Sequence, residues 1–193
     1  MPNWCSTTIC LYGNDDDKQE IYEAIKEIEK EKHVVTEQDI REYFCIYGTN
    51  FGRGSIEDFW LDSQGLYICQ EDAWNENTDY WEKIIKEKGY NLSIAYRAEC
   101  FEDDMFYIYD ETGKIFTEKY ILNLILSEND KKKFKCKYQD IYEYFSSDES
   151  LINYFNDAFG VDCKSIEETE KYIKKINSTD YSSANLKKFE KGE

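Results

Sequence analysis

The chain has 193 residues, a length typical of one domain with a small appendage. Its 41% hydrophobic residues, with 17 tyrosines and 11 phenylalanines, supply enough apolar surface for a core and exclude a disordered chain. The 41 acidic residues outnumber the 24 basic ones, and the net charge of −17 opposes contact with a phosphate backbone, so direct nucleic-acid binding is not expected.

The first elements alternate strand and helix. Residues 3–12 are rich in β-branched and aromatic side chains, which predicts a strand. Apolar residues at helical spacing then predict an amphipathic helix that ends near Lys32, with the carboxylates of residues 15–17 capping its N-terminus. The pattern is weaker over residues 33–63. Residues 36–39 indicate a short capped helix there, and we interpret the whole stretch as an insertion.

The next segment repeats strand, turn and helix. Residues 65–70 predict a strand, and the helix after it begins at Asn77 or Thr78 and ends at Gly89. Two further strands, 91–100 and 105–109, complete a meander. This order is typical of an α+β, ferredoxin-like fold in which helices cover one face of an antiparallel sheet. We assign that domain to residues 1–118.

The character of the sequence changes near Tyr120. Residues 138–159 and 165–176 have helix-like patterns with serine and glycine between them, so residues 119–176 are predicted to form a small C-terminal helical appendage. Residues 177–193 are polar and are predicted to be a flexible tail.

Reactive side chains are few or poorly placed for chemistry. The seven cysteines contain no CxxC pair, which argues against a zinc site or a disulfide framework and favours a reducing compartment. His33 is the single histidine, so histidine-based catalysis would depend on one residue. We expect no cofactor. Since no leader or membrane span is recognisable, we expect a protein of the host cell cytoplasm.

The opening segment Met1-Pro2-Asn3-Trp4-Cys5-Ser6 leads directly into a strand. It resembles the N-terminus of the YubB-like family of phage and plasmid proteins. The segments Tyr47–Asn50, Ala73-Trp74 and Ala95–Glu99 resemble later parts of that family in order and spacing. The resemblance covers about residues 1–116, and it implies a ferredoxin-like domain of a mobile genetic element. It implies no reaction, because the family has no established biochemical activity.

Carboxylates alternate with aromatic residues in two stretches, and a third acidic group precedes a strand. Carboxylates can pair with arginine and lysine, and aromatic rings can stack on guanidinium groups, so such a surface could imitate a nucleic acid. The alternative is that rings such as Trp81, Tyr142 and Phe145 face the core while the acids face water. The predicted partner-binding residues are Glu71, Asp72, Trp74, Glu76, Asp79, Tyr80, Glu102, Asp103, Asp104, Tyr138, Asp140, Tyr144, Asp148 and Glu149.

Three functions remain open from the sequence. The first is a non-enzymatic inhibitor from a phage or other mobile element, which occupies the basic nucleic-acid-binding groove of a host defence protein such as a CRISPR effector or a restriction enzyme. The second is a metal-dependent enzyme that uses an acidic cluster. The third is a structural protein that assembles through its C-terminal helices. The ligands for the second would be Glu99, Glu102, Asp103 and Asp104.

Overall fold

The computed structural model describes residues 3–47, 53–73, 76–179 and 182–192. The protein is a mixed α+β structure with a seven-stranded and a three-stranded sheet. The chain divides into two compact units: unit 1 is residues 1–116 with 190–193, and unit 2 is residues 117–189. Residues 48–52, within the stretch interpreted from the sequence as an insertion, lie outside the described residues.

Unit 1 contains the first nine elements of the chain and the last one. The first nine are β1 (Trp4–Gly13), α1 (Asp15–Lys32), β2 (Val35–Thr36), α2 (Glu37–Tyr43), β3 (Gly54–Leu61), β4 (Leu66–Ala73), α3 (Asp79–Lys88), β5 (Leu92–Cys100) and β6 (Met105–Tyr109). Unit 2 contains β7 (Tyr120–Ile125), α4 (Glu128–Phe134), β8 (Asp140–Phe145), α5 (Asp148–Phe159), α6 (Ile166–Ile176) and β9 (Ser183–Lys188), after which β10 (Glu190–Lys191) belongs to unit 1.

The larger sheet has the strand order β10-β6-β5-β1-β4-β3-β2. Its pairs are antiparallel apart from β10, which runs parallel to β6. Ile9 and Leu11 of β1, Ile21 and Ile25 of α1, and Ile84 of α3 belong to one buried cluster. Ile9 and Leu11 are two residues apart and therefore lie on the same face of β1, so both helices pack on that face.

Strand β3 corrects the interpretation of residues 33–63 as an insertion. It pairs with β4 along Gly54–Leu61 and is therefore part of the main sheet. The register shifts between Ile56 and Asp58, so Glu57 is an extra residue opposite the partner strand. Such a bulge interrupts the two-residue alternation by which strands are recognised, and this explains why the sequence pattern is weak.

The ends of the helices follow local sequence rules. The predicted short capped helix is confirmed as α2, where Thr36 and Asp39 form a capping box. Gly89 ends α3 in the left-handed conformation, as predicted. The N-cap of α1 is Asn14, whose side chain accepts a hydrogen bond from the backbone of Asp17. Residues 15–17 instead form the acidic first turn, where carboxylates favour the positive end of the helix dipole.

Unit 2 has its own sheet and its own core. The strand order is β8-β7-β9, and both pairs are antiparallel. Leu122 and Leu124 of β7 pack in one buried cluster with Phe155 of α5, Ile176 of α6 and Ala184 of β9. Residues 119–176, predicted as a helical appendage, therefore contain the strands β7 and β8 as well as three helices, and β9 adds the third strand of the sheet from the predicted tail.

Two predictions for unit 2 are wrong in detail. Residues 140–145, predicted as helix, form β8. Its buried residues Ile141 and Phe145 are four apart, a spacing that places side chains on one face in a strand as well as in a helix. The tail predicted to be flexible contains β9 and β10. The polar side chains of β9 conceal the strand, because only Ala184 and Leu186 pack against the core.

Within the described residues, no helix combines the length and the apolar character that crossing a membrane requires.

Candidate binding surface

The negative charge of the protein is concentrated in unit 1. Unit 1 holds 28 of the 41 acidic residues and 12 of the 24 basic ones, whereas unit 2 holds 13 acidic and 12 basic residues. Unit 1 thus has a net charge of −16 and unit 2 a net charge of −1. A field that attracts a basic partner therefore originates from unit 1.

Tyrosine hydroxyls donate hydrogen bonds to glutamates at three places in unit 1. In each pair the glutamate is exposed, and its second carboxylate oxygen is available to another donor. The pairs combine an apolar ring with a charged acceptor, which suits contact with arginine or lysine side chains. They are Tyr43 with Glu27 at 2.9 Å, Tyr90 with Glu20 at 2.7 Å, and Tyr109 with Glu111 at 2.7 Å.

These hydrogen bonds raise the pKa values of the tyrosines. The bond to Glu27 raises the pKa of Tyr43, and the bond to Glu111 raises the pKa of Tyr109, because the neutral phenol is the better donor to a carboxylate. Burial, followed by the bond to Glu20, raises the pKa of Tyr90. The phenols are therefore neutral hydrogen-bond donors at physiological pH.

One of these pairs borders a groove between α3 and the strands β5 and β6. We call it the tyrosine groove, and its volume is about 230 Å³. Apolar side chains from α3 and β5 line it, together with two exposed carboxylates. The lining residues are Glu82, Ile85, Leu92, Ser93, Ile94, Tyr109 and Glu111.

Strand register places two further tyrosines beside Tyr109, the ring that lines the groove. Tyr96 of β5 lies directly opposite Tyr109 of β6, and the two rings stack with centroids 5.5 Å apart. Tyr107 lies two residues before Tyr109, on the same face of β6, and its ring centroid is 5.9 Å from that of Tyr96. Burial raises the pKa of Tyr96 to about 12, so this phenol is also neutral at physiological pH.

The carboxylates of the groove are free to bind a cation. Within the described residues, the carboxylate of Glu82 makes no hydrogen bond or ion pair, and the carboxylate of Glu111 accepts one bond, from Tyr109. None of the described lining residues is a lysine or an arginine. The groove is therefore negative, with apolar and aromatic walls.

The first predicted stretch is only partly at the surface. Asp79 is exposed, and Glu71 and Glu76 are half-buried. Asp72 and Tyr80 are each 2% exposed, so they cannot contact a partner at the surface, and their assignment as partner-binding residues is corrected. Trp74 lies outside the described residues.

A buried polar network explains why Asp72 and Tyr80 lie inside. The Oε1 of Gln70 accepts hydrogen bonds from the hydroxyl of Tyr80 at 2.9 Å and from the indole of Trp81 at 3.1 Å. The Nε2 of Gln70 donates to Asp72 at 2.5 Å, and the backbone of Asn77 donates to the same carboxylate oxygen at 3.3 Å. Satisfied polar groups of this kind can be buried without a large loss of stability.

Asp72 has an unusual protonation equilibrium. Burial raises the pKa of this carboxyl to about 7, and its hydrogen bonds with Gln70 and Asn77 oppose the rise. The nearby Glu37, which accepts from the side chain of Asn77 at 2.6 Å and pairs with Arg41 at 2.9 Å, raises it further. The network is internal, and we assign it a structural role.

The acidic residues before β6 do not form a metal site. Glu102, Asp103 and Asp104 are exposed in the turn after β5, whereas Glu99 is buried and pairs with Arg97 at 2.9 Å. The carboxylate of Asp103 accepts from Asn3 at 2.6 Å and from Cys100 at 3.5 Å. Among the residues that the structure describes, no group of three or more His, Cys, Asp or Glu side chains could hold a metal ion.

The second predicted stretch lies in the nearly neutral unit 2. Tyr138 is 42% exposed and stacks on Tyr154, and Asp140 and Glu149 are exposed. Asp148 is exposed but bound by the side chains of Lys119 and Tyr120.

The rings of β8 are divided between the surface and the core of unit 2. Tyr144 is half-buried, and its ring centroid is 6.3 Å from that of Phe189. Phe145 is buried, as is Trp81 in unit 1, whereas Tyr142 is 48% exposed. The alternative in which the rings face the core therefore holds for Trp81 and Phe145 but not for Tyr142.

The buried cysteines are poor nucleophiles in this fold. All seven are free thiols. Burial raises the pKa of Cys5 to about 12 and that of Cys10 to about 11, so both remain protonated at neutral pH. His33 is exposed at the C-cap of α1.

The tyrosine groove is the part of the surface that the sequence pattern did not identify. The spacing of Tyr107 and Tyr109 indicates that they share a strand face. The pairing of Tyr96 with Tyr109 and the approach of Glu82 depend on strand register and helix packing, which a single sequence does not reveal.

Known proteins provide no independent information on this surface. No family model, curated protein or solved structure matches the chain. The assignment of a function therefore rests on the residues and the geometry of the chain itself.

Proposed function

We propose that the protein is a non-enzymatic binding protein, and that the acidic surface of unit 1 occupies a basic nucleic-acid-binding groove on a partner protein. The observation that carries this proposal is the concentration of net charge, −16 in unit 1 against −1 in unit 2. A solvated surface that served only solubility would not require this division. An excess of negative charge on one unit orients that unit towards a basic surface and increases the rate of association with it.

The chemistry of the surface supports a role as a nucleic-acid mimic. A groove that binds phosphates presents arginine and lysine, and carboxylates can form charge-assisted hydrogen bonds with both. Tyrosines beside those carboxylates, of which Tyr43 is exposed and Tyr90 and Tyr109 are half-buried, add a flat ring on which guanidinium groups can stack. The three tyrosine–glutamate pairs of unit 1 combine these features.

We further propose that unit 1 is a ferredoxin-like domain, as the resemblance to the YubB-like family implies. The strand order supports this: β5, β1, β4 and β3 are neighbours in that order, and each pair is antiparallel. Along the chain these strands alternate with α1 and α3 as strand, helix, strand, strand, helix, strand, which is the arrangement of that fold. In this description β2, α2, β6 and β10 are additions.

The resemblance also narrows the choice of partner. A mobile-element setting makes host defence nucleoproteins, such as CRISPR effectors and restriction enzymes, the first candidates to test. This choice rests on analogy with the family setting, whereas the charge and the tyrosines give the physical reason for binding a basic groove.

The test is competition with DNA for those candidates. At about 50 mM salt, we expect the protein to displace labelled DNA from at least one of them, and we expect about 0.5 M salt to abolish the competition. A variant with four unit 1 glutamates changed to glutamine should compete poorly. The four are Glu20, Glu27, Glu82 and Glu111, all exposed.

A matched control separates the site from the total charge. Four exposed glutamates of unit 2 are changed to glutamine, which alters the net charge by the same amount and should leave competition intact. Equal loss in both variants would reject unit 1 as the binding surface, and no displacement from any candidate by the wild-type protein would reject the proposed function. The control residues are Glu128, Glu143, Glu167 and Glu170.

A further inference from the structure

We propose that the tyrosine groove is a pocket for one arginine side chain of the partner. This inference rests on the proposed function and specifies the chemical group that unit 1 recognises at this place. It is carried by a cavity, an unengaged carboxylate and a tyrosine ring that lie together on α3, β5 and β6.

The size of the groove favours a single side chain. Its volume is about 230 Å³. Pockets for drug-sized ligands and cofactors usually have roughly 300–1,000 Å³ and bury most of the ligand. A groove smaller than that range suits the end of a long side chain that enters from a partner surface.

The lining matches the two parts of a long cationic side chain. Ile85, Leu92 and Ile94 provide apolar contact for the methylene groups, which long basic residues bury along apolar surfaces. Glu82 and Glu111 provide acceptors for the charged end.

The ring of Tyr109 favours arginine over lysine. A guanidinium group is planar and stacks on an aromatic face, and its five donors can engage two carboxylates at the same time. An ammonium group has no plane and is more strongly hydrated, so it gains less from the ring. The stacking of Tyr109 on Tyr96 at 5.5 Å holds that ring in position before the ligand arrives.

The state of the carboxylates indicates that the cation comes from outside the groove. The carboxylate of Glu82 has no hydrogen-bond or ion-pair partner among the described residues, and the carboxylate of Glu111 has only the hydroxyl of Tyr109, 2.7 Å away. Two carboxylates near one apolar groove repel each other, and a guanidinium group between them would relieve that repulsion. An arginine therefore complements the groove in both charge and shape.

The experiment is an NMR titration of the full chain with short peptides. The probes are blocked pentapeptides of glycine with arginine, lysine or citrulline at the centre, and the reporters are the methyl groups of Ile85, Leu92 and Ile94. We expect saturable shifts with the arginine peptide and affinity weaker by about tenfold or more for the citrulline peptide, which has the same shape without the charge. The lysine peptide should bind more weakly than the arginine peptide and more tightly than the citrulline peptide.

Variants test whether the carboxylates and the ring act together. The double variant Glu82→Gln and Glu111→Gln should lose about tenfold or more in affinity for the arginine peptide. Tyr109→Leu should reduce the preference for arginine over lysine. The double variant Glu29→Gln and Glu31→Gln removes the same charge from exposed positions on α1 and should bind the peptide as the wild type does.

The outcomes separate this inference from the proposed function. Equal affinity for arginine and citrulline, shifts confined to residues outside the groove, or no effect of the Glu82 and Glu111 changes would overturn the arginine pocket. If the arginine peptide binds as expected but the protein displaces DNA from none of the candidates, the proposed function is rejected and the arginine pocket is retained. If displacement holds without peptide binding, the pocket fails alone.

Discussion

Asp72 couples the stability of unit 1 to pH. Burial raises its pKa from 3.8 to about 7, so the folded state retains this proton at pH values where the unfolded chain has lost it. The contribution of Asp72 to the free energy of unfolding is therefore at its maximum below about pH 4. It decreases as the pH rises towards 7, and it changes little above pH 7. The steepest decline is about 1.4 kcal/mol per pH unit.

We predict that Asp72→Asn flattens this dependence. Between about pH 5.5 and about pH 7.5, the unfolding free energy of unit 1 should fall by about 2 kcal/mol less in the variant than in the wild type. Urea titrations followed by tryptophan fluorescence measure the unfolding free energy of unit 1 at each pH, because all four tryptophans belong to unit 1. They are Trp4, Trp60, Trp74 and Trp81. Asp79→Asn, at an exposed position, is the control. Identical pH profiles in the two variants would show that the pKa of Asp72 is not raised.

The same residue shows why single positions are hard to assign from sequence. Asp72 lies in a run of acids and aromatic rings that looks like a surface stretch. Its neighbours in space are Gln70, Asn77 and Glu37, and the bonds between them depend on how β4 meets α2 and α3. Burial of an acid follows from those tertiary contacts, whereas composition favours exposure.

Helices and strands differ in how well their sequences predict them. Helix α1 is evident because buried Ile21, Ala24, Ile25 and Ile28 follow the helical period without interruption. Strand β3 escapes recognition because the bulge at Glu57 breaks its alternation. Strand β8 is mistaken for a helix because its buried residues fit both periods.

The end of α3 allows a clean test of a local rule. Gly89 has φ +72°, and an added Cβ would meet no atom within 4 Å. Gly89→Ala should therefore destabilise unit 1 only through the left-handed backbone, by about 1–2 kcal/mol. Gly89→Asn should cost less, because asparagine tolerates this conformation.

Urea unfolding monitored by tryptophan fluorescence measures both Gly89 variants, with Lys88→Ala in the last turn as the control. A smaller loss for alanine than for asparagine would contradict the backbone explanation.

Each unit has its own large buried hydrophobic cluster within the described residues. We predict that Phe155→Ala destabilises unit 2 by about 3–5 kcal/mol, because this fully buried ring stacks on Phe159 at 4.5 Å and contacts Tyr172. Circular dichroism should show an earlier transition in urea, while tryptophan fluorescence, which reports unit 1, should keep its midpoint.

The reciprocal change is the control for that prediction. Ile84→Ala empties a buried position of unit 1 and should lower the midpoint of the fluorescence transition. Equal shifts of both signals in each variant would mean that the two units unfold as one cooperative structure, which would contradict separate cores.

The sequence by itself determined the features that depend on neighbouring residues along the chain and on the overall composition. The helical period of α1, the capping box of α2, the glycine that ends α3 and the excess of acid are all readable within a few residues or from composition. Local backbone preference and net charge require no knowledge of distant contacts.

Only the tertiary structure decided which acids face the solvent and which unit carries the charge. Strand register places Tyr96 opposite Tyr109, helix packing brings Glu82 to the same groove, and the polar network encloses Asp72. The last strand, β10, joins the sheet of unit 1 after the whole of unit 2 has intervened. These pairings join residues that are far apart in the chain, and their free energy comes from burial and register rather than from local preference.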